Sequence, residues 1–233
     1  MGLPPEDDDR EDIAMSSKLY AAMVPLLAVA AFVALPMTAQ AASHWYRCHE
    51  VAAGTGKYQD AGCTKKATGN FELTRLPFET ETATISVAGR LTFLSATWDG
   101  LVCSVTGDGK IWNTNVAVAG KGEVEGFEFY ECNMPSCKKG LAATSEGLPW
   151  STELLSGPPI RSKLTGVKIR IKCEEPTFNV LFTGELKPEW VNGNPSLVEF
   201  DSESGSLASS DGALTFAGHI SVESSDDIQV FSP

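Results

Sequence analysis

Residues 167–173, Val-Lys-Ile-Arg-Ile-Lys-Cys, alternate apolar and cationic side chains without a break. A period of two sends successive side chains to opposite faces of a strand. One face would carry Val167, Ile169, Ile171 and Cys173, and the other Lys168, Arg170 and Lys172. A segment with one dry and one wet face belongs in an antiparallel sheet rather than a parallel one buried on both sides. Weaker versions of the pattern recur at 71–76, at 84–87 and 91–94 on either side of Gly89, at 101–105, at 110–112 and at 178–186. Segment 124–130 would place Val124, Gly126, Glu128 and Tyr130 on one face, and Glu125, Phe127 and Phe129 on the other, followed by Glu131. Segment 214–222 would turn Leu214, Phe216, Gly218, Ile220 and Val222 inward.

The segments are separated by turn chemistry. Thr106-Gly107-Asp108-Gly109 reads as a hairpin turn, because Gly and Asp tolerate positive φ. Residues 147–155 fit a short strand or one helical turn, and the Ser-rich stretch 202–210 reads as a loop. No window of 12 or more residues beyond the N-terminal leader carries a helical stripe. Many short strands with regular turns predict an all-β fold, an antiparallel β-sandwich or a barrel-like domain.

The N-terminal segment predicts export. Residues 19–35 are apolar and uncharged, Lys18 stands before them, and Ala39-Gln40-Ala41 is a small-x-small cleavage site. This order describes a secretory signal peptide over 15–41. A membrane-spanning helix needs about 20 apolar residues, so the run is slightly short, and Pro36 interrupts it. The acidic stretch 6–12 has the wrong sign for such a leader, which places the expected start at Met15. The mature chain, from Ala42, is expected to be secreted or held at the cell surface without spanning the membrane.

All six cysteines follow the cut: Cys48, Cys63, Cys103, Cys132, Cys137 and Cys173. An even count in an exported chain implies disulfides. Six cysteines allow 15 pairings, and spacing does not choose among them. Local proximity suggests Cys48 with Cys63 and Cys132 with Cys137, leaving Cys103 with Cys173. The first pair would close a cap over 42–66, followed by a β-domain over 67–233. Structural zinc wants ligands two to four residues apart with His or Cys following, which Cys132 and Cys137 lack.

Composition narrows the partners. The leader holds six of the 30 acids and two of the 18 bases, leaving 24 acids against 16 bases, a net of −8. An acidic surface repels phosphate backbones, so nucleic acid is not an expected partner. The three histidines suggest little: His44 and His49 near Glu50 read as surface polar residues before they read as metal ligands, and His219 falls on the wet face of its strand. Asp99 and Asp108 sit beside glycines, where turn chemistry explains them better than calcium. Glu128 and Glu153 could form a glycosidase pair, but any chain this acidic offers such pairs. No catalytic motif, metal site or cofactor site is read. The tryptophans are the more open feature. Trp98, Trp112, Trp150 and Trp190, several of them beside turns, are candidate binding aromatics able to stack on sugar rings or anchor a protein. Packing in the core and at its rim competes with that reading.

The order of landmarks resembles a group of secreted actinobacterial proteins of unknown function. The matching residues are Trp45-Tyr46-Arg47-Cys48, Gly56-Lys57-Tyr58, Cys63, Gly69-Asn70-Phe71-Glu72, Val102-Cys103 with Gly107-Asp108-Gly109, the span 127–137 with its close cysteines, Trp150-Ser151-Thr152-Glu153-Leu154, and Ile171-Lys172-Cys173 with Phe182-Thr183-Gly184. The similarity covers most of 45–187. The chain departs from it at Glu131, where the group usually has glycine. The resemblance implies an exported β-rich domain and supplies no catalytic residues. The resulting expectation is a non-catalytic exported β-domain that binds glycan, cell wall or protein outside the cell. A secreted glycosidase-like hydrolase with paired carboxylates is the alternative.

Overall fold

The computed structural model describes residues 42–98, 100–224 and 228–231. The leader read at 1–41 and the candidate Asp99 lie outside these residues. The described chain is all-β: β1 (His44–Glu50), β2 (Gly56–Tyr58), β3 (Lys66–Gly69), β4 (Phe71–Arg75), β5 (Ala83–Ser95), β6 (Leu101–Trp112), β7 (Lys121–Asn133), β8 (Ala142–Ser145), β9 (Trp150–Leu155), β10 (Arg161–Glu174), β11 (Thr177–Leu186), β12 (Glu189–Val191), β13 (Ser196–Phe200), β14 (Ser206–Ser209), β15 (Gly212–Glu223) and β16 (Ile228–Phe231). Eight of them close an antiparallel barrel in the order β5-β6-β7-β9-β10-β12-β13-β15, with β15 returning to β5. Strands β8, β11 and β14 extend its wall: β8 and β11 flank the second half of β10, and β14 joins β11 to β15. The sequence left sandwich and barrel open. Closure decides for the barrel.

The clearest alternating segments form as read. Val167, Ile169, Ile171 and Cys173 are buried in β10, and Leu214, Phe216, Ile220 and Val222 in β15, whereas Gly218, expected inward with them, is exposed. The outer faces are polar, with Lys168, Lys172 and His219 exposed. A transmembrane barrel carries the opposite arrangement, apolar outside. Among the described residues no helix is long and apolar enough to cross a membrane.

Three local expectations are corrected. The turn expected at 106–109 is the middle of β6, where Gly107 pairs with Val87 on one side and Phe127 on the other. Its glycines serve close strand approach rather than a reversal. A Cβ on Gly107 would stand 2.6 Å from the Gly126 carbonyl oxygen, and one on Gly109 2.4 Å from that of Glu123. The Ser-rich 202–210 stretch is not all loop, since 206–209 form β14. The simple alternation read across 124–131 breaks because β7 holds two bulges, one extra residue each. One lies where Asp108 faces Gly126 and Gly109 faces Val124, which makes Glu125 the extra residue. The other lies between the pairs Ser104–Tyr130 and Val102–Asn133.

That second bulge explains a disulfide the spacing argument missed. Cys103 stands opposite the bulge and bonds Cys132, while Cys137 bonds Cys173. The expected pairs Cys132–Cys137 and Cys103–Cys173 are therefore wrong, and Cys48–Cys63 is right. Cys132 points into the barrel from a strand. Cys137 lies beyond a turn closed by its own N–H on the Met134 carbonyl at 2.9 Å, in a segment folded onto the end of β10, where Lys138 N–H reaches the Glu175 carbonyl at 2.7 Å. Nearness in sequence carries no weight once a turn separates the two side chains. All six cysteines are bonded.

A second sheet, in the order β16-β1-β4-β2-β3, caps one end of the barrel. The opening expected at 42–66 lies inside it, and the sheet runs on to Arg75 and takes its edge strand from 228–231. Trp45 joins the two parts. It is fully buried, its indole N–H donates to the Lys121 carbonyl at 2.9 Å, and its ring meets Trp190 edge-on at 4.9 Å.

The barrel's weakest lateral join is β10 to β12, a single pair between Arg161 and Glu189. Side chains reinforce it. The Arg161 guanidinium donates to both Asp201 oxygens at 3.1 and 3.3 Å, to Glu203 at 3.0 Å and to the Lys187 carbonyl at 2.9 Å. Such bidentate pairs are the strong, directional kind.

Two outcomes follow. Glu131 sits in the second bulge at φ +48°, a region that costs a non-glycine residue about 1–2 kcal/mol. Glu131→Gly should raise unfolding stability by about 1 kcal/mol, read from denaturant midpoints, despite losing a 3.3 Å contact from Ser104 Oγ. The Arg161 guanidinium also holds the Asp201 carboxyl down to about 2. A pKa lowered by folding stabilises above the unfolded value, near 4, and that contribution fades as pH falls toward 2. Wild type should lose stability over this window more steeply than Asp201→Asn. Parallel curves would refute the assignment.

Candidate functional site

The four candidate tryptophans separate by depth. Trp150 and Trp190 are buried inside the barrel at 3% and 9% exposure. Trp98 is half-buried, stacked on Phe178 at 6.3 Å and edge-on to Phe182 at 6.1 Å. Trp112, the last residue of β6, is half-buried on the outer wall.

The ladders build a site around Trp112. Trp112 faces Lys121 on β7, Lys121 faces Glu153 on β9, and Glu153 faces Lys163 on β10. The next row runs Lys110, Glu123, Ser151, Thr165. Residues paired across antiparallel strands share a face, so both rows stand on the outer wall. Between them is a groove of about 200 Å³ lined by Trp112, Lys121, Glu123, Ser151, Glu153 and Lys163. Its charges alternate in sign. Lys163 also pairs with Glu185 at 3.1 Å, and Lys110 pairs with Glu125 at 2.5 Å. The Glu125 contact raises the Lys110 pKa, so its ammonium stays charged. The groove thus offers one indole face, carboxylate acceptors, ammonium donors and a hydroxyl. This set suits a flat, hydroxyl-rich ligand, because each hydroxyl both donates and accepts.

The other candidates are not brought together. Glu153 is level with Lys121, and Glu128 is seven residues further along β7. At about 3.3 Å per residue that is roughly 20 Å, whereas glycosidase carboxylates stand about 5–10 Å apart. His44 is buried rather than on the surface, with Nε2 3.0 Å from the Asn115 carbonyl and its ring edge-on to Phe78. His49 lies with Arg47 and Arg75 in a concavity of about 460 Å³ beside Glu81. His219 is exposed, between Arg90 and Glu199 in the ladders. Asp108 is an exposed strand residue, not a turn residue. Among the described residues no three His, Cys, Asp or Glu side chains are grouped to hold a metal ion.

Sequence reasoning found Trp112 and Glu153 but missed Lys121, Glu123, Ser151 and Lys163. Their signal is period-two spacing, Lys121 with Glu123 and Ser151 with Glu153, which marks one wet face without showing which strands adjoin.

No protein-family model matches the chain, and no curated protein or solved structure matches it either.

The burial order has a direct readout. Trp112→Phe should lower the acrylamide-quenchable share of tryptophan emission more than Trp150→Phe or Trp190→Phe. An unchanged share in Trp112→Phe would contradict an accessible indole in the groove.

Proposed function

We propose that this protein is exported and acts outside the cell as a non-catalytic glycan-binding domain, with the Trp112 groove as its sugar site. The observation that carries the reading is the row Trp112, Lys121, Glu153, Lys163 across four strands, with a second row beside it that carries the hydroxyls of Ser151 and Thr165. An aromatic face beside paired donors and acceptors suits a sugar ring, which has apolar C–H faces and hydroxyl edges. A groove on rigid strands is preorganised, which reduces the ordering cost of binding. Export is supported by the leader read at 15–41 and by three disulfides, which persist in oxidising compartments. The resemblance to secreted actinobacterial proteins points the same way. Cell-wall polysaccharide fits the expected location better than a protein ligand, because the groove is narrow and polar rather than a broad apolar patch.

A glycan array and a pull-down on cell-wall material test the reading with the disulfide-bonded chain from Ala42. Trp112→Ala should weaken binding about tenfold, equivalent to about 1.4 kcal/mol, and Glu153→Gln should weaken it less. Undiminished binding by Trp112→Ala would move the site elsewhere. Glycan turnover abolished by Glu153→Gln would replace the reading with a hydrolase.

A further inference from the structure

An apolar cavity of about 80 Å³ lies within the barrel, bounded by Phe127, Trp150, Trp190, Val198, Phe216 and Ile220 among others. Protein interiors pack with few voids larger than a water molecule. A void without polar groups stays dry and accepts apolar guests. An apolar cavity of about 150 Å³ takes a benzene ring, so about half that volume suits a narrower guest, the end of an unbranched alkyl chain. The cavity is shut toward the cap, where Trp45 packs edge-on against Trp190.

The wall beside the cavity is incomplete. Strand β7 pairs with β6 along one edge, but on the other edge it pairs with β9 only over Lys121–Val124. Strand β8 pairs with β10 alone. No ladder joins β7 to β8 among the described residues, and the Ser145 hydroxyl donates across this seam to the Phe127 carbonyl. Outside the seam is a groove of about 360 Å³, bounded by Phe127, Glu128, Phe129, Thr144 and Leu148. Phe127 borders both the inner cavity and the outer groove. The Phe127 side chain therefore lies between an apolar interior and a mixed polar surface.

We propose that the barrel binds a short amphiphile with an uncharged polar head, its alkyl end in the lumen and its head in the β7–β8 seam, with Phe127 as the gate. Glu128 on one side of the seam is opposed by Arg170, which faces Thr144 on the other, so neither charge sign is favoured and hydroxyl-headed molecules are the class. Glu123 and Thr152 border both the cavity and the Trp112 groove, but neither Phe127 nor the β7–β8 seam belongs to that groove, and the site stands or falls apart from the glycan reading.

The test is titration of the disulfide-bonded chain with 1-butanol, 1-hexanol and 1-octanol, followed by tryptophan emission, since Trp150 and Trp190 border the cavity. Wild type should give a saturable change whose midpoint falls with chain length and then levels off once the cavity is filled. Val198→Phe, which fills the lumen, should raise the midpoint at least tenfold while melting cooperatively. Should that variant fail to fold, Val124→Ile narrows the lumen from a half-buried position and should raise the midpoint severalfold. Phe127→Ala should speed association at least tenfold in stopped flow. A linear, non-saturating response in wild type, or an unchanged midpoint in the folded filled variant, would overturn the site. Unchanged rates in Phe127→Ala would overturn the gate.

Discussion

Asn113 connects the barrel to its cap, and the dryness of the barrel depends on that connection. It is fully buried just beyond the end of β6. Its Oδ1 accepts the Trp45 backbone N–H at 2.9 Å, and its Nδ2 donates to the carbonyls of Trp45 and Leu76, each at 3.0 Å. One amide at the barrel's end thereby engages β1 and the residue that follows β4. A buried donor or acceptor left unpaired costs about 1–3 kcal/mol, so these three bonds fix where the cap sits. With the backbone held, the Trp45 ring lands over Gly120, where a Cβ would stand 2.6 Å from it. The ring then closes the barrel end against Trp190, and water is kept from the apolar interior.

The wall is held by unlike devices because closure is unequal around it. β5, β6 and β15 share long uninterrupted ladders. The opposite side is assembled from short strands, and there the chain adds covalent and ionic joins. Cys103–Cys132 ties β6 to β7 at a bulge, where the backbone ladder lapses. Cys137–Cys173 ties the turn after β7 to the end of β10. Arg161 gathers Asp201 and Glu203 where β10 and β12 meet in one pair. A barrel removes its sheet edges by closing, and these joins complete closure where backbone bonding is thin.

How much of this was legible depends on whether the signal was local. Val167–Cys173 could be read because each residue's environment repeats every second position on a stretch free of irregularity, the register shift of β10 lying before it between Leu164 and Val167. Gly107 and Gly109 misled because glycine serves both turns and close approach, and the deciding contacts come from Gly126 and Glu123 on the next strand, β7. The disulfides misled for the same reason, since side-chain direction beyond a turn is not encoded in spacing. Trp150 and Trp190 sit beside turns in sequence yet fill the interior, because an indole serves a core as readily as a binding surface. In the candidate site, Trp112 and Glu153 could be named, but not as neighbours. The partners that make it a groove come from β7, β9 and β10 and adjoin only through the register.

That register couples the outer and inner surfaces. On β7, Lys121 and Glu123 face the groove, while Gly122, whose Cβ would stand 2.9 Å from the buried Ile111 side chain, and Val124, which borders the cavity, face inward. Glu125 then intrudes as the extra residue of a bulge, and the faces exchange parity, so that Phe127 rather than Gly126 turns to the cavity. Without the bulge, Phe127 would follow Glu123 onto the outer wall and the lumen would lose its gate. The same kink ends the pairing of β7 with β9 at Val124–Trp150, which is where the seam with β8 begins. One inserted residue thus ends the ladder that builds the polar groove, opens the wall, and aims an aromatic ring into the opening. Glu125 remains outside, paired with Lys110, so the residue whose insertion positions both surfaces is itself held on the outer wall by an ion pair.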